Sequence, residues 1–411
     1  MKRGKQKLPS REIMWSVLPS EVEENILSRL PVKVLMRFRC VCKHWFNLVT
    51  NPYFIKLQLN RSSQIKECYK LARADLSKVY SIDVEACRNQ YIKARGQKKA
   101  ILQEELVLRD VGIFWDVVGS CNGLLCLNDL SNKLYLLNPA TKEFIELPYP
   151  IDVCLCPIDS TPNAVFGFGY NHRTDEYKVL IIKYYRLGES HDVYVYTLGT
   201  NSSWRSIGSI EYKIEDPHHA LVNGALHWMA SDTPGFTVVL IFFDFGDEKF
   251  GELSLPKSFR QEDTNHSMGL VELDGFLSLY QRKYENFDIW AMKDYGDEQS
   301  WTKVFSVAHT VLPRIWEWSS PSIILKKDEE VLCQDGKEFF MLDLVKKKIR
   351  RLHLRRGRYA SYVEMYFESL VSLRADGETG NKRWKRKEED GNWWQLAGGT
   401  ETRSEAFENY I

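Results

Sequence analysis

The sequence holds no long apolar run, no excess of either charge and no C-x-x-C pair. The longest uninterrupted apolar stretch is Val238–Phe243, far short of the roughly 18 residues a membrane-spanning helix needs. Lysine plus arginine is 56 and aspartate plus glutamate is 55, so no global field points to nucleic acid or to an anionic membrane surface. The opening "MKRGKQKLPSRE" is basic but lacks the apolar segment of a secretory signal. The expected compartment is therefore the cytosol, the nucleus or both. The nine cysteines (Cys40, Cys42, Cys68, Cys87, Cys121, Cys126, Cys154, Cys156 and Cys333) are odd in number, and their two C-x-C pairs have poor spacing for zinc. Buried free thiols are the expectation.

Catalytic signatures are equally scarce. There is no G-x-S-x-G, no H-E-x-x-H and no phosphate-binding loop. "FGFGYN" offers two glycines of a dinucleotide fingerprint but sits in a strand-rich stretch, without the strand–turn–helix context. His218-His219 follow Asp216, yet no third metal ligand is identifiable, and a polar loop is the plainer reading. His227 beside Trp228 reads as a packed strand residue. No cofactor and no metal are expected.

What is present falls into two unlike parts. "LPSEVEENILSRLPVKVLMRFRCVCKHWFNLVTNP" (Leu18–Pro52) is helical in pattern. Ser20 and Glu23 have the spacing of a capping box. Val22, Ile26 and Leu30 make one apolar stripe, widened by Leu27, and Pro31 stops the helix. Val34, Leu35, Phe38 and Val41 belong to a second short helix, and Cys42, Trp45, Phe46 and Val49 to a third. Pro52–Leu59 adds a short outlying helix. A unit below about 40 residues rarely buries enough surface to be stable alone. Disulfides are excluded by compartment and metal by ligand content. The missing cover is either another polypeptide or the rest of the chain.

Beyond Val117 the pattern changes to short strands and turns. "KLYLLNPATKEFIELP" reads as strand, turn, strand; its turn at Asn138-Pro139-Ala140-Thr141 has a proline that fixes φ and an asparagine that bonds its own backbone. Related modules follow, among them "VNGALHWMA", "LDGFLSLYQ" and "EFFMLDLVKKKIRRLHL". An aromatic or aliphatic residue just past each turn recurs at Phe144, Trp204, Phe250, Trp301 and Ile349. The period lies near fifty, the kelch-type spacing rather than the roughly 40–45 residues of WD40 blades. Small sheets of this kind bury both faces by stacking around an axis. Five copies are visible, and "VEMYFESLVSL" (Val363–Leu373) is read as a strand that closes the ring on an early blade. The fold expected is α+β multidomain: a three-helix unit at 14–60, a connector at 61–116 with a strand at Val79–Val84, an all-β propeller-like domain at 117–373, and a disordered tail at 374–411, polar and charged. The basic run Lys346–Arg358 is read as a solvated edge-strand face. "KRWKRK" (Lys382–Lys387) is a candidate nuclear signal.

Both parts resemble plant F-box proteins. Leu18-Pro19, Ile26-Leu27, Leu30-Pro31-Val32-Lys33, Arg37-Phe38-Arg39, Val41-Cys42-Lys43, Trp45 and Pro52 match the F-box in order and spacing. Glu21 departs from the usual aspartate, and Val34 and Met36 from the usual serine and leucine. "GSCNGLLCL", "LLNPATKEF", "GFGYNHRTDEYKV", "VNGALHW", "DIWAMKDYGDEQSW" and "ESLVSL" resemble the F-box-associated domain. The resemblance implies a non-catalytic substrate receptor of an SCF ubiquitin ligase, bound to a Skp-type adaptor and through it to cullin. It places Leu18, Pro19, Val22, Ile26, Leu27, Leu30, Pro31 and Leu35 in or beside the adaptor interface, with Trp45 as a possible anchor. An unknown target protein would bind the propeller's loops, with Trp316, Trp318, Tyr185 and Tyr284 as candidate contacts. No membrane or nucleic-acid partner is expected. The alternative from a different class is a glycan-binding propeller or a hydrolase with a helical cap, because a propeller does not by itself decide function.

Overall fold

A computed structural model of the chain describes residues 19–65, 69–75, 78–85, 103–106, 115–129, 132–148, 164–184, 190–199, 203–214, 216–232, 237–257, 259, 268–282, 286–308, 322–336, 338–352 and 363–373. Four short helices come first: α1 (Ser20–Leu27), α2 (Val32–Phe38), α3 (Lys43–Val49) and α4 (Pro52–Ser62). The prolines set their boundaries. Pro19 and Pro31 stand at the N-caps of α1 and α2, and Pro52 opens α4 behind Asn51, whose side chain accepts from the Tyr53 amide. The capping box expected at Ser20–Glu23 does not form: α1 has no side-chain cap, and the Glu23 carboxylate is turned inward, toward α3.

Six four-to-five-stranded antiparallel sheets follow. Blade 1 contains β1 (Tyr69–Asp75), β2 (Lys78–Asp83) and β3 (Gln103–Leu106). Blade 2 contains β4 (Trp115–Cys121), β5 (Leu124–Asp129), β6 (Leu134–Asn138) and β7 (Glu143–Glu146). Blade 3 contains β8 (Ala164–Asn171), β9 (Glu176–Lys183), β10 (His191–Thr197) and β11 (Trp204–Ile210). Blade 4 contains β12 (Tyr212–Ile214), β13 (Ala220–Val222), β14 (Ala225–Asp232), β15 (Val238–Asp244) and β16 (Lys249–Leu253). Blade 5 contains β17 (Met268–Leu273), β18 (Phe276–Arg282), β19 (Asn286–Met292) and β20 (Trp301–Ala308). Blade 6 contains β21 (Ser322–Lys327), β22 (Glu330–Asp335), β23 (Glu338–Asp343) and β24 (Lys348–Leu352). The last strand, β25 (Val363–Phe367), joins blade 1, pairing antiparallel with β1 from Tyr69↔Phe367 to Arg73↔Val363.

That pairing closes the ring, as the sequence pattern predicts, and adds a blade the sequence pattern hides. Residues 61–116, read from sequence as a connector with one strand, carry β1, β2 and β3. The reason it escapes notice is topological: blade 1 takes its inner strand from residue 363 onward and its outer strands from residues 69–106, so no single stretch of chain shows its period.

The recurring residues of the other five blades share one structural position. Phe144, Trp204, Phe250, Trp301 and Ile349 all lie at the start of the outermost strand of their sheet. Two of them fasten blade to blade. The Trp204 indole donates to the Pro148 carbonyl at 2.6 Å, and the Trp301 indole to the Ser254 carbonyl at 2.8 Å. Each acceptor lies just past the outer strand of the preceding blade. The two glycines of "FGFGYN" are packing positions: a Cβ at Gly167 would collide with Leu226, and one at Gly169 with the Phe245 ring, both from blade 4. Asn122-Gly123, Asn223-Gly224 and Asp274-Gly275 all have positive φ at both residues and turn β4 into β5, β13 into β14 and β17 into β18. The expected asparagine turn forms too. The buried Asn138 side chain accepts from the amides of Ala140 and Thr141, while its amide group donates to the carbonyls of Ser369 and Val371.

Among the cysteines, Cys126 and Cys333 are buried as expected, but Cys40 and Cys42 are exposed. Cys42 caps α3, its sulfur accepting from the Trp45 amide at 3.5 Å. Of the basic run, Arg350 and Arg351 lie on the outer strand β24 and pair with Glu330 and Glu338. The tail 374–411 and the motif at Lys382–Lys387 lie outside the described residues.

Candidate functional site

The helical unit is half a core. Leu27, Val32, Leu35, Val49 and Phe54 are buried together, and the propeller adds Leu370 from the segment after β25, with Ala140 beside it. Glu23 is the polar centre of this packing. Its carboxylate accepts the Trp45 indole N–H at 2.6 Å and pairs with His44 Nε2 at 2.7 Å. Trp45 stacks on Phe38 with ring centroids 4.6 Å apart. Arg61 of α4 reaches back to the Asn25 carbonyl at 2.8 Å and to the Ser28 hydroxyl. A buried carboxylate is tolerated because its oxygens find donors.

The other half of the unit faces outward. On α1, Glu23 and Leu27 turn in, while Val22 and Ile26 turn out, each pair four residues apart. Val22 is 42% exposed and Ile26 46%; Phe46 of α3 and Val41, just before that helix, are exposed too. Of the nine large apolar side chains exposed among the described residues, six belong to residues 19–65: Val22, Ile26, Val41, Phe46, Tyr53 and Ile65. Scattered exposed apolar residues are ordinary, and a concentration of this kind makes the helical unit the candidate interaction surface.

The unit is held at the rim of blades 1 to 3. Ile55 and Leu59 of α4 pack on the core between blades 2 and 3. Lys56 pairs with Asp175 in the turn after β8. Lys33 of α2 bonds Glu104 of β3 at 2.9 Å and lies 3.7 Å from Glu368. The hydrogen bond to Glu104 holds the Lys33 ammonium above its ordinary pKa and Glu104 below the usual carboxylate range.

The nine residues assigned to the adaptor face therefore divide. Pro19, Val22, Ile26 and Pro31 are exposed. Leu27 and Leu35 are buried in the unit's own core, where the propeller's Leu370 helps cover them. Leu30 is half-buried against the same core. Trp45 is engaged internally by Glu23 and Phe38, and its neighbour Phe46 is the exposed aromatic. Helix phase explains the split: a stripe one hundred degrees wide has two edges, and only contacts decide which one faces the core. Leu18, and the candidate target contacts Trp316, Trp318, Tyr185 and Tyr284, lie outside the described residues.

A second concave feature lies on the propeller axis. A cavity of about 320 Å³ is lined by inner-strand residues of all six blades, including Ser120, Tyr170, His219, Glu272, Ile323 and Glu364. The inner strand of blade 4 is broken: β12 and β13 both pair with β14, and Asp216–His219 bridge the break. Asp216 pairs with His218. His219 lies close against Gly119, where an ideal Cβ would stand 3.0 Å from the imidazole Nε2. Burial pulls the His219 pKa down to about 4. His227 behaves as the sequence predicts, buried and bonded to the Ala220 carbonyl at 3.1 Å and the Tyr295 hydroxyl at 2.7 Å. Among the described residues no group of three or more metal-ligating side chains converges.

Comparison with known proteins agrees with this architecture. Residues 15–57 match the F-box domain and residues 71–373 the F-box associated beta propeller domain. The chain is 33% identical over 344 residues to "F-box protein At3g07870" of Arabidopsis thaliana, covering 74% of this chain and 77% of that one. It is 26% identical over 401 residues to "F-box protein CPR1" from the same plant, covering 91% and 93%. "F-box/kelch-repeat protein At3g23880" is 29% identical over 307 residues, covering 71% and 79%. With its helical unit and its closed six-bladed ring both matched, the chain belongs to the F-box proteins that carry an F-box-associated β-propeller.

Proposed function

We propose that this chain is the non-catalytic substrate-recognition subunit of an SCF-type ubiquitin ligase. The helical unit docks a Skp-type adaptor, and through it cullin; the propeller holds a target protein. The observation that carries the reading is the outward apolar face of Pro19, Val22, Ile26, Val41 and Phe46 on a unit whose inward face is already filled. Burying such side chains in a partner contributes roughly 25 cal/mol per Å² before the costs of association are subtracted. The receptor's contribution to ubiquitin transfer is positional: holding a target near a charged conjugating enzyme raises the local concentration of its lysines. No side chain of the receptor takes part in bond making.

The test is capture of a Skp-type adaptor by the purified full chain. Ile26→Asp should abolish capture while leaving the circular dichroism and melting temperature near those of the unaltered chain. Val304→Asp, an exposed apolar position on the propeller, should leave capture intact. Equal capture by all three chains would overturn the assignment.

A further inference from the structure

The axial cavity has a chemistry of its own. Glu364 sits on β25, the inner strand of blade 1, half-buried and lining the cavity. Its hydroxyl partner is Ser120, which donates from Oγ at 3.3 Å. Glu272 lines the same space, and among the described residues no lysine or arginine does. His219 is neutral there, and the neighbouring His218 is matched by Asp216. The walls are aromatic: Tyr69, Tyr170, Tyr280, Tyr366 and Phe367. One end of the cavity is formed by the hairpin turns at Asn122-Gly123 and Gly224 and by His172, the end of the ring where Lys56 of α4 meets the turn after β8.

Each feature selects against one kind of occupant. An anion would meet two carboxyl groups and no cation. A purely apolar molecule would leave Glu364 stripped of water with only the Ser120 hydroxyl and backbone N–H as partners, which is costly for a polar group. A cation on a slim apolar stem satisfies both demands: its charge pairs with the carboxylate, and aromatic faces attract it further. The volume suits the end of one side chain or a small free molecule, not a folded segment.

We propose that the propeller axis is a binding site for an organic cation, an ammonium or guanidinium group on an apolar stem, with Glu364 as its counter-charge. Such a group could be supplied by a basic side chain of the target protein or by a small free amine. The first source rests on the substrate-receptor reading above; the second does not need it.

The test uses the full chain in calorimetric titration with n-hexylammonium, with n-hexanoate as the charge control, and with a glycine–serine peptide carrying one internal lysine. Hexylammonium should bind and hexanoate should not. Glu364→Gln should weaken hexylammonium binding at least about ten-fold, the loss expected when a charge-assisted hydrogen bond becomes a neutral one, while the variant keeps its melting transition and still captures the adaptor. Binding of the lysine peptide as tightly as the free amine assigns the site to a target side chain; binding of the amine alone assigns it to a small molecule. Absence of hexylammonium binding, equal binding of hexanoate, or unchanged binding in Glu364→Gln overturns the proposal. Adaptor capture is scored separately, so failure of the cation site leaves the receptor assignment standing, and the converse.

Discussion

The two parts of this chain solve the same problem in opposite ways. The propeller buries both faces of every sheet by closing a ring of six blades, and its last described strand, β25, seals the ring against β1. The helical unit does not close. Its inner face borrows Leu370 from the propeller, and its outer face leaves Val22, Ile26, Val41 and Phe46 in water. A closed architecture gains stability from itself; an open one keeps apolar surface available for association.

The largest expected effect comes from breaking closure. A chain ended after residue 362 loses β25 and the segment carrying Leu370, so blade 1 loses its inner strand and the helical unit part of its core. Thermal unfolding followed by circular dichroism should lose its cooperative transition, and adaptor capture should fall with it. A truncated chain that still melts cooperatively would show that the ring does not depend on β25.

A sharper contrast lies inside the helical unit. Leu35 is fully buried, whereas Ile26 faces out. Leu35→Ala should cost roughly 2–5 kcal/mol in urea unfolding. Ile26→Ala should change stability by less than about 0.5 kcal/mol and yet weaken adaptor binding. If the two variants exchanged these signatures, the division into core and docking face would be wrong.

The axis of the propeller should respond to pH. Burial pushes the Glu364 carboxyl up to about 7 from an ordinary 4.5. The folded chain therefore holds this proton more tightly than the unfolded chain does. Its contribution to stability is complete below pH 4.5 and is lost as pH rises through about 7, at roughly 1.4 kcal/mol per unit. The buried His219 and His227 act in the other direction: held near 4 rather than 6.5, they contribute fully above pH 6.5 and lose stability as pH falls toward 4. The difference in unfolding free energy between the unaltered chain and Glu364→Gln, followed from pH 4.5 to 8, isolates the carboxyl and should shift steadily in favour of the variant. A flat difference would place Glu364 in contact with bulk water.

The smallest effect concerns single inter-blade bonds. Trp301→Phe keeps most of the packing and removes the indole bond to Ser254, and should cost about 1 kcal/mol in urea unfolding. A much larger loss would make these tryptophans determinants of blade spacing.

Much of the architecture was legible in the residues, because the propeller advertises its outer strands. Phe144, Trp204, Phe250, Trp301 and Ile349 recur because five of the six blades open their outer strand with a bulky residue. The Asn-Gly and Asp-Gly hairpins and the Asn138 turn have local causes and were equally readable. Blade 1 was hidden because its β3, "QEEL", carries no such marker and its inner strand comes from the far end of the chain. The capping box failed because the Glu23 carboxylate is held by Trp45 and His44, contacts across two helices that no local pattern encodes. The exposed apolar face was half readable: the stripe is in the sequence, but which edge turns inward is set by contacts with the neighbouring helices and with Leu370, more than three hundred residues away. The axial cavity was not readable at all. Its residues come from strands and turns of all six blades, with no common signature in the sequence.

The seam between β1 and β25 also orders events in time. A ribosome releases the helical unit first, but Leu370 reaches it only after every blade has been made. Until then the inner face of the unit lacks part of its cover. The packing of the helical unit is therefore complete only once the ring has shut. In this molecule the last residues of the propeller complete the core of the domain that was made first.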